Sequence, residues 1–315
     1  MDDGCNSTPH ASGKRHANQV GSSFSFPKPP LTYGQQVDHL VDRGLVVEDR
    51  SFAEKALSET NYYRLRGYWL DLEDGTGFVP DASFEDIWHI HELDRALRRW
   101  LWSAIEPVEI KARTAFAYRV AMEAGPMGYM DPSLYLDGRR LEKSLNAVGR
   151  EVRQALHFKT PCVVHNIEKY GALPSWAMVE VASMGTVSNL YGNLRHDGVG
   201  GLVRESVASD FGAKSRLLSS WLHHLTVVRN VCAHHGRVYG RSMPVAPALL
   251  AKDRRKKPAG VMPTLLVLAR IYQRSWPQEW PSMVDDLNAV FQEHSDVALN
   301  PLGVGEGWRS TLLEA

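Results

Sequence analysis

Seven consecutive residues, Arg229-Asn230-Val231-Cys232-Ala233-His234-His235, gather side chains suited to cofactor-free phosphodiester chemistry. RNA carries its own nucleophile, the ribose 2′-hydroxyl. Its cleavage needs a base for the 2′ proton, an acid for the 5′ leaving oxygen and a cation for the charged phosphorane. A histidine titrating near neutrality serves either proton-transfer role, each contributing roughly 10²–10⁴-fold. Arginine offers a planar, permanently charged fork for phosphate oxygens. Asn230 can orient an imidazole or donate to phosphate. The candidate catalytic set is Arg229, Asn230 and His234. One chain supplies a single histidine in this role, so two copies facing across a twofold axis would complete acid and base.

A helix over 214–235 positions these groups. At about 100° per residue, Leu218, Trp221, Leu222, Leu225, Val228 and Cys232 gather on one side. Ser219, His223, Thr226, Asn230 and His234 gather on the other, with Arg229 at the boundary. Gly236 is the expected stop, which leaves His234 in the last turn. His235 is a possible auxiliary group, because its azimuth diverges from that of Asn230. His223 and His234 share a face but lie eleven residues apart, about 16 Å along the axis, too far to share one metal ion. No metal or other cofactor is expected.

The rest of the chain reads as helices. Thr32 caps a first helix ending at Gly44, Ser51 opens a second, and the aromatic run 61–69 follows; together 24–80 form a helical N-terminal unit. Ser83 caps a long pattern from Ile87 to Val120, apolar at steps of three and four, with Pro107 expected to kink or split it. Further helices are predicted near 138–158, 161–170, 174–182, 185–196 and 201–211, with two more at 261–276 and 278–294. A basic loop occupies 246–260, and the tail after Gly303 reads as loose. Strand-like alternation is nearly absent. The expected fold is all-α, with the helical bundle over 83–245 and a C-terminal extension over 261–315.

Composition narrows the function classes. Hydrophobic content of 43% and charged content of 23% are those of a globular protein. Lys+Arg and Asp+Glu are equal at 36 each, so any nucleic-acid contact must come from local patches. Cys5, Cys162 and Cys232 are scattered, which suits a reducing cytoplasm and excludes a cysteine zinc site. No run of 18 apolar residues is present to span a membrane. Residues 1–23 are polar and read as a disordered leader.

Other residues have competing readings. Glu109 and Arg113 suit an i,i+4 ion pair, or Glu109 could orient the catalytic histidine or arginine from a neighbouring helix. Arg64, Arg66 and Tyr68 could contact unpaired bases, although aromatics at helical spacing also serve as core. Arg254, Arg255, Lys256 and Lys257 could follow a phosphate backbone, or form a solvated loop. Arg150 and His157 repeat the spacing, but Glu151 beside the arginine would repel phosphate.

Arg229 to His234 fits the R-x4–6-H pattern of HEPN domains, including the polar residue after the arginine. More broadly, the chain resembles the Abi-like (AbiD/AbiF) family of abortive-infection proteins. The matching stretches are Lys28 to Gln36, Arg43-Gly44-Leu45, Asn61 to Trp69, Asp94-Arg95, Ala104-Ile105-Glu106, Pro174-Ser175-Trp176 and Ser219 to Leu222. The resemblance implies an all-α HEPN ribonuclease toxin acting in phage defence, dimeric, with an RNA substrate. Some relatives are restrained by a structured small RNA, which makes an RNA antitoxin an expected partner. The alternative is a non-catalytic RNA-binding module whose motif only scaffolds that small RNA.

Overall fold

A computed structural model describes residues 27–315. The expected leader over 1–23 and Cys5 lie outside the described residues. Three helices open the described chain: α1 (Tyr33–Val41), α2 (Arg50–Thr60) and α3 (Tyr62–Trp69). Thr32 and Gln35 form a reciprocal capping box on α1. α2 starts earlier than its sequence suggests, because Asp49, two residues before Ser51, is the N-cap and its side chain accepts the N–H of Phe52 at 2.9 Å. Asn61 both ends α2 and caps α3, at a φ of 69°.

The long pattern becomes one 41-residue helix, α4 (Phe84–Ala124), capped by Ser83. Pro107 does not divide it. Val108, Ala104, Ile105 and Ala112 around the proline are buried and hold both halves to the core. Ser103, whose carbonyl loses its helical donor at Pro107, is exposed, so water can satisfy the freed acceptor.

Six helices follow: α5 (Gly138–His157), α6 (Pro161–Tyr170), α7 (Ser175–Val181), α8 (Met184–Gly192), α9 (Gly198–Asp210) and α10 (Ser215–Ala233). Helix α4 is the axis of the bundle, touching α3, α7, α8, α9 and α10. Leu97, Leu101, Phe116, Leu190, Phe211 and Leu218 fill the space between them with almost no exposure. The chain closes with the short α11 (Ala251–Arg254), then α12 (Met262–Ser275), α13 (Trp280–Glu293) and α14 (Trp308–Leu313). Among the described residues, β pairing is limited to three isolated bridges, and the fold is all-α.

The tail is not loose. Gly260 and Gly303 adopt positive φ; a Cβ on Gly260 would collide with the Leu302–Gly303 backbone, and one on Gly303 with the Ala259 backbone. That contact lets Val261 N–H reach the Leu302 carbonyl at 2.8 Å. Val304 and Leu312 are buried beyond it, and Trp280 Nε1 donates to the Leu312 carbonyl. The glycines read as loose in the sequence serve as a close backbone crossing. Among the described residues, no helix is long and apolar enough to cross a membrane.

Candidate active site

Helix α10 ends earlier than its sequence suggests. Ala233 is its last residue, His234 is the C-cap, and His235 takes the left-handed conformation at φ 56°. The His235 N–H donates to the Cys232 carbonyl at 3.1 Å and the Gly236 N–H to that of Val231 at 2.7 Å. These bonds close a Schellman turn with histidine where glycine is usual. Gly236 therefore lies beyond the left-handed residue instead of occupying it.

Three side chains hold this turn against the bundle. Arg64 of α3 donates to the His235 carbonyl at 2.5 Å, and Arg237 donates to the Gly67 carbonyl. Asp94 of α4 has no exposure and accepts the N–H groups of Val238 at 2.9 Å and Tyr239 at 2.8 Å. Its other oxygen accepts from Tyr68 Oη at 2.6 Å and from the Arg98 guanidinium. One buried carboxylate thus joins α3, α4 and the chain leaving α10. Tyr68, proposed from sequence as an RNA contact, is buried in this network and unavailable to solvent. Burial beside Asp94 raises its phenol pKa further still.

Arg229 points from α10 towards α4. Its Nε lies 3.3 Å from Glu109 Oε2, and its guanidinium covers the Trp102 ring at 4.9 Å. The Glu109 contact lacks hydrogen-bond alignment, so Arg229 Nε keeps no hydrogen-bond partner. Arg113 donates to the other Glu109 oxygen at 2.5 Å. Glu109 thus pairs with Arg113 and also lies against the motif arginine. It does not contact either motif histidine.

Asn230, His234 and His223 are exposed along the polar face of α10. Arg229 and His234 stand about 140° apart on the helical wheel, so they are not gathered on one side within a chain. His235 diverges in another way, lining a cleft of about 730 Å³ with Arg64, Arg95, Arg99, Trp88 and Trp102. Arg64 and Arg99 have no carboxylate partner among the described residues. Cys232, in the middle of the motif, is buried, and its thiol is pushed up to about 12 by desolvation. It is packing, not a nucleophile.

The remaining candidates lie elsewhere. Arg66 is exposed on α3. Arg254, Arg255, Lys256 and Lys257 are exposed after α10, while the neighbouring Asp253 is buried against Arg270 at 2.7 Å. Arg254 shares a cleft with Lys214 and Trp221, at the start of α10 and far from His234. His224 faces away from His223: its Nδ1 lies 2.5 Å from the Val245 carbonyl and its Nε2 2.9 Å from Thr264 Oγ1. Among the described residues, no three His, Cys, Asp or Glu side chains gather as a metal site requires.

Sequence reading missed Asp94, Arg98, Trp88 and Trp102 as parts of this region. Asp94 next to Arg95 carries no chemical signal by itself; only the fold brings it to Val238. The model of the Abi-like protein family matches residues 55–240. The chain belongs to the Abi-like family. The match runs from within α2 to just past α10, so it takes in Arg64, Asp94, Glu109 and the whole motif. It leaves out the basic loop and α12 to α14. Membership suggests a part in abortive infection, a form of phage defence. No curated protein and no solved structure matches the chain.

Proposed function

We propose that this protein is a metal-independent endoribonuclease of the HEPN type, the toxin of an abortive-infection or toxin–antitoxin system. The observation that carries the reading is the placement of Arg229. It is held by Glu109 and Trp102 at the edge of an arginine- and tryptophan-lined cleft, one turn before two exposed or cleft-lining histidines. His234 is the general acid or base, Arg229 stabilises the phosphorane and Asn230 positions the phosphate or imidazole. Because Arg229 and His234 diverge within one chain, the complete site forms between two copies, each contributing its motif. A small structured RNA restrains the toxin in the cytoplasm until infection.

Cleavage of a single-stranded RNA by the purified full-length chain tests this. It proceeds in EDTA and leaves 2′,3′-cyclic phosphate and 5′-hydroxyl ends. His234→Ala retains the helical circular dichroism spectrum and loses cleavage by at least about 10²-fold, the scale of one proton-transfer group. Undiminished activity in that variant removes His234 from the mechanism.

A second reading has one observation in its favour. The Glu109 carboxylate offsets the charge of Arg229, as a structural arginine would require. In that reading the protein is a non-catalytic module that scaffolds a small RNA. Copurifying RNA, with no cleavage even after the protein is stripped of it, selects this alternative.

A further inference from the structure

We propose that a second cleft, at the start of α10, is a phosphate-binding site separate from the Arg229–His234 motif. Arg140 of α5, Arg204 of α9 and Arg216 of α10 converge on it with Ser219, Ser220 and His223, and no carboxylate lines it. Its volume is about 490 Å³. None of the three arginines forms an ion pair among the described residues.

Arg204 supplies the decisive observation. Only 4% of it is exposed, its Nη1 donates to the Leu194 carbonyl at 3.2 Å, and its Nε has no hydrogen-bond partner. The Tyr191 ring lies 5.7 Å from its guanidinium carbon, but a guanidinium cannot shed its charge, and burial without a carboxylate leaves it with no anionic partner. The buried Arg98 is neutralised by Asp94, and the largely buried Arg270 by Asp253. The hydroxyls add donors: Ser220 Oγ accepts the Ala248 N–H at 2.8 Å, which leaves its own proton free to donate. Gly192 leaves room for the fork, since a Cβ there would lie 4.0 Å from Arg140 Nη2 and 3.2 Å from Ser219 Oγ.

Three forked cations with two hydroxyls match a tetrahedral phosphate better than a planar carboxylate. The phosphate belongs either to a polynucleotide backbone or to a free nucleotide. Two placements suit a polynucleotide. His223 and His234 lie within about 20° on the α10 wheel, about 16 Å apart along the axis, so this cleft and His234, though not Arg229, lie along one side of the helix. In addition, Arg216 and Ala248 also line the neighbouring cleft that holds Arg254 and Lys214, extending the basic track to the 252–257 loop.

The test uses the full chain in a His234→Ala background, so that binding is read without cleavage. Arg140 and Arg216 are exposed, and Arg140→Gln with Arg216→Gln leaves the core untouched. Fluorescence anisotropy with a labelled single-stranded RNA should show at least about tenfold weaker binding at low salt. The log–log salt slope should become shallower by roughly 1.4, two contacts at about 0.7 each. Arg140→Lys with Arg216→Lys should keep the slope. If a free nucleotide is the ligand, calorimetry with ATP shows binding that the Gln pair abolishes, while the RNA slope stays unchanged. Unchanged RNA affinity and slope together with no arginine-dependent ATP binding overturns the site. The nuclease reading is judged separately: arginine-dependent binding in a wild type that cleaves nothing keeps this site and discards that reading.

Discussion

His235 carries a conformational cost that its neighbour Gly236 could have avoided. A non-glycine residue in the left-handed region is destabilised by about 1 kcal/mol relative to glycine. Chemical denaturation of His235→Gly should therefore show a gain of about 1 kcal/mol; a loss would mean the imidazole contributes packing in the cleft that outweighs the strain. Such strain is found where function needs a particular side chain. A second histidine sets a pH dependence. The Val245 carbonyl can only accept, so His224 Nδ1 bears the proton and Nε2 accepts from Thr264. Burial lowers its pKa below the ordinary 6.5, and the nearby His223 acts the same way, against the Val245 bond. The unfolded chain then binds more protons than the folded one once the pH drops under about 6.5. Melting temperature should be at its plateau above that pH and decline as the pH falls through 6 towards the folded value. His91 shares the direction, also chiefly through burial. A flat profile between pH 7 and 5 would rule out neutral buried histidines.

At the scale of elements, α3 and α4 hold the end of α10 through Asp94. Removing that carboxylate would strand the Arg98 guanidinium, which is 7% exposed, and leave the Val238 and Tyr239 N–H groups unpaired. Breaking one side of a buried ion pair costs about 3–5 kcal/mol. Asp94→Ala should lose about that much in a denaturant titration, and His235 should leave its left-handed turn. A loss under about 1 kcal/mol would show that the Arg64 and Arg237 contacts suffice. The N-terminal unit thus has a bracing role through Tyr68, Arg64 and the Gly67 carbonyl that accepts from Arg237, which its Tyr- and Arg-rich sequence did not separate from nucleic-acid contact. Aromatic and guanidinium groups suit both uses, and burial alone distinguishes them.

For the whole molecule, the divergence of Arg229 and His234 makes the proposed enzyme an assembly. Sedimentation equilibrium should return twice the chain mass of 35.3 kDa. Mixing wild type with excess His234→Ala should depress cleavage more steeply than the wild-type fraction, because mixed pairs lack one histidine. Activity proportional to that fraction, from a monomer, would place the complete site within one chain. Trp102, 40% exposed and stacked on Arg229, offers an apolar surface beside the motif.

Helical periodicity was sufficient to place most elements, since apolar steps of three and four residues from Ile87 to Val120 admit only one buried face. The same arithmetic put Asn230, His234 and His223 on the outer side of α10, where they are exposed, but also Thr226, which is buried because α8 covers that part of the face near Gly185. Local chemistry misplaced two helix ends: Asp49 and Ser51 both cap well at the start of α2, and His235 displaced Gly236 at the end of α10, where Arg64 secures its carbonyl from another helix. Sequence spacing likewise could not decide whether Pro107 breaks α4, since that depends on burial of its neighbours. What only the tertiary structure decided is which charges are spent. Tyr68, Arg98 and Arg113 are occupied by carboxylates or their partners, Glu109 reaches Arg229 across two helices, and Arg204 is buried with none. Residue type states what a side chain can bind; the packing of distant segments determines whether it is still free to do so.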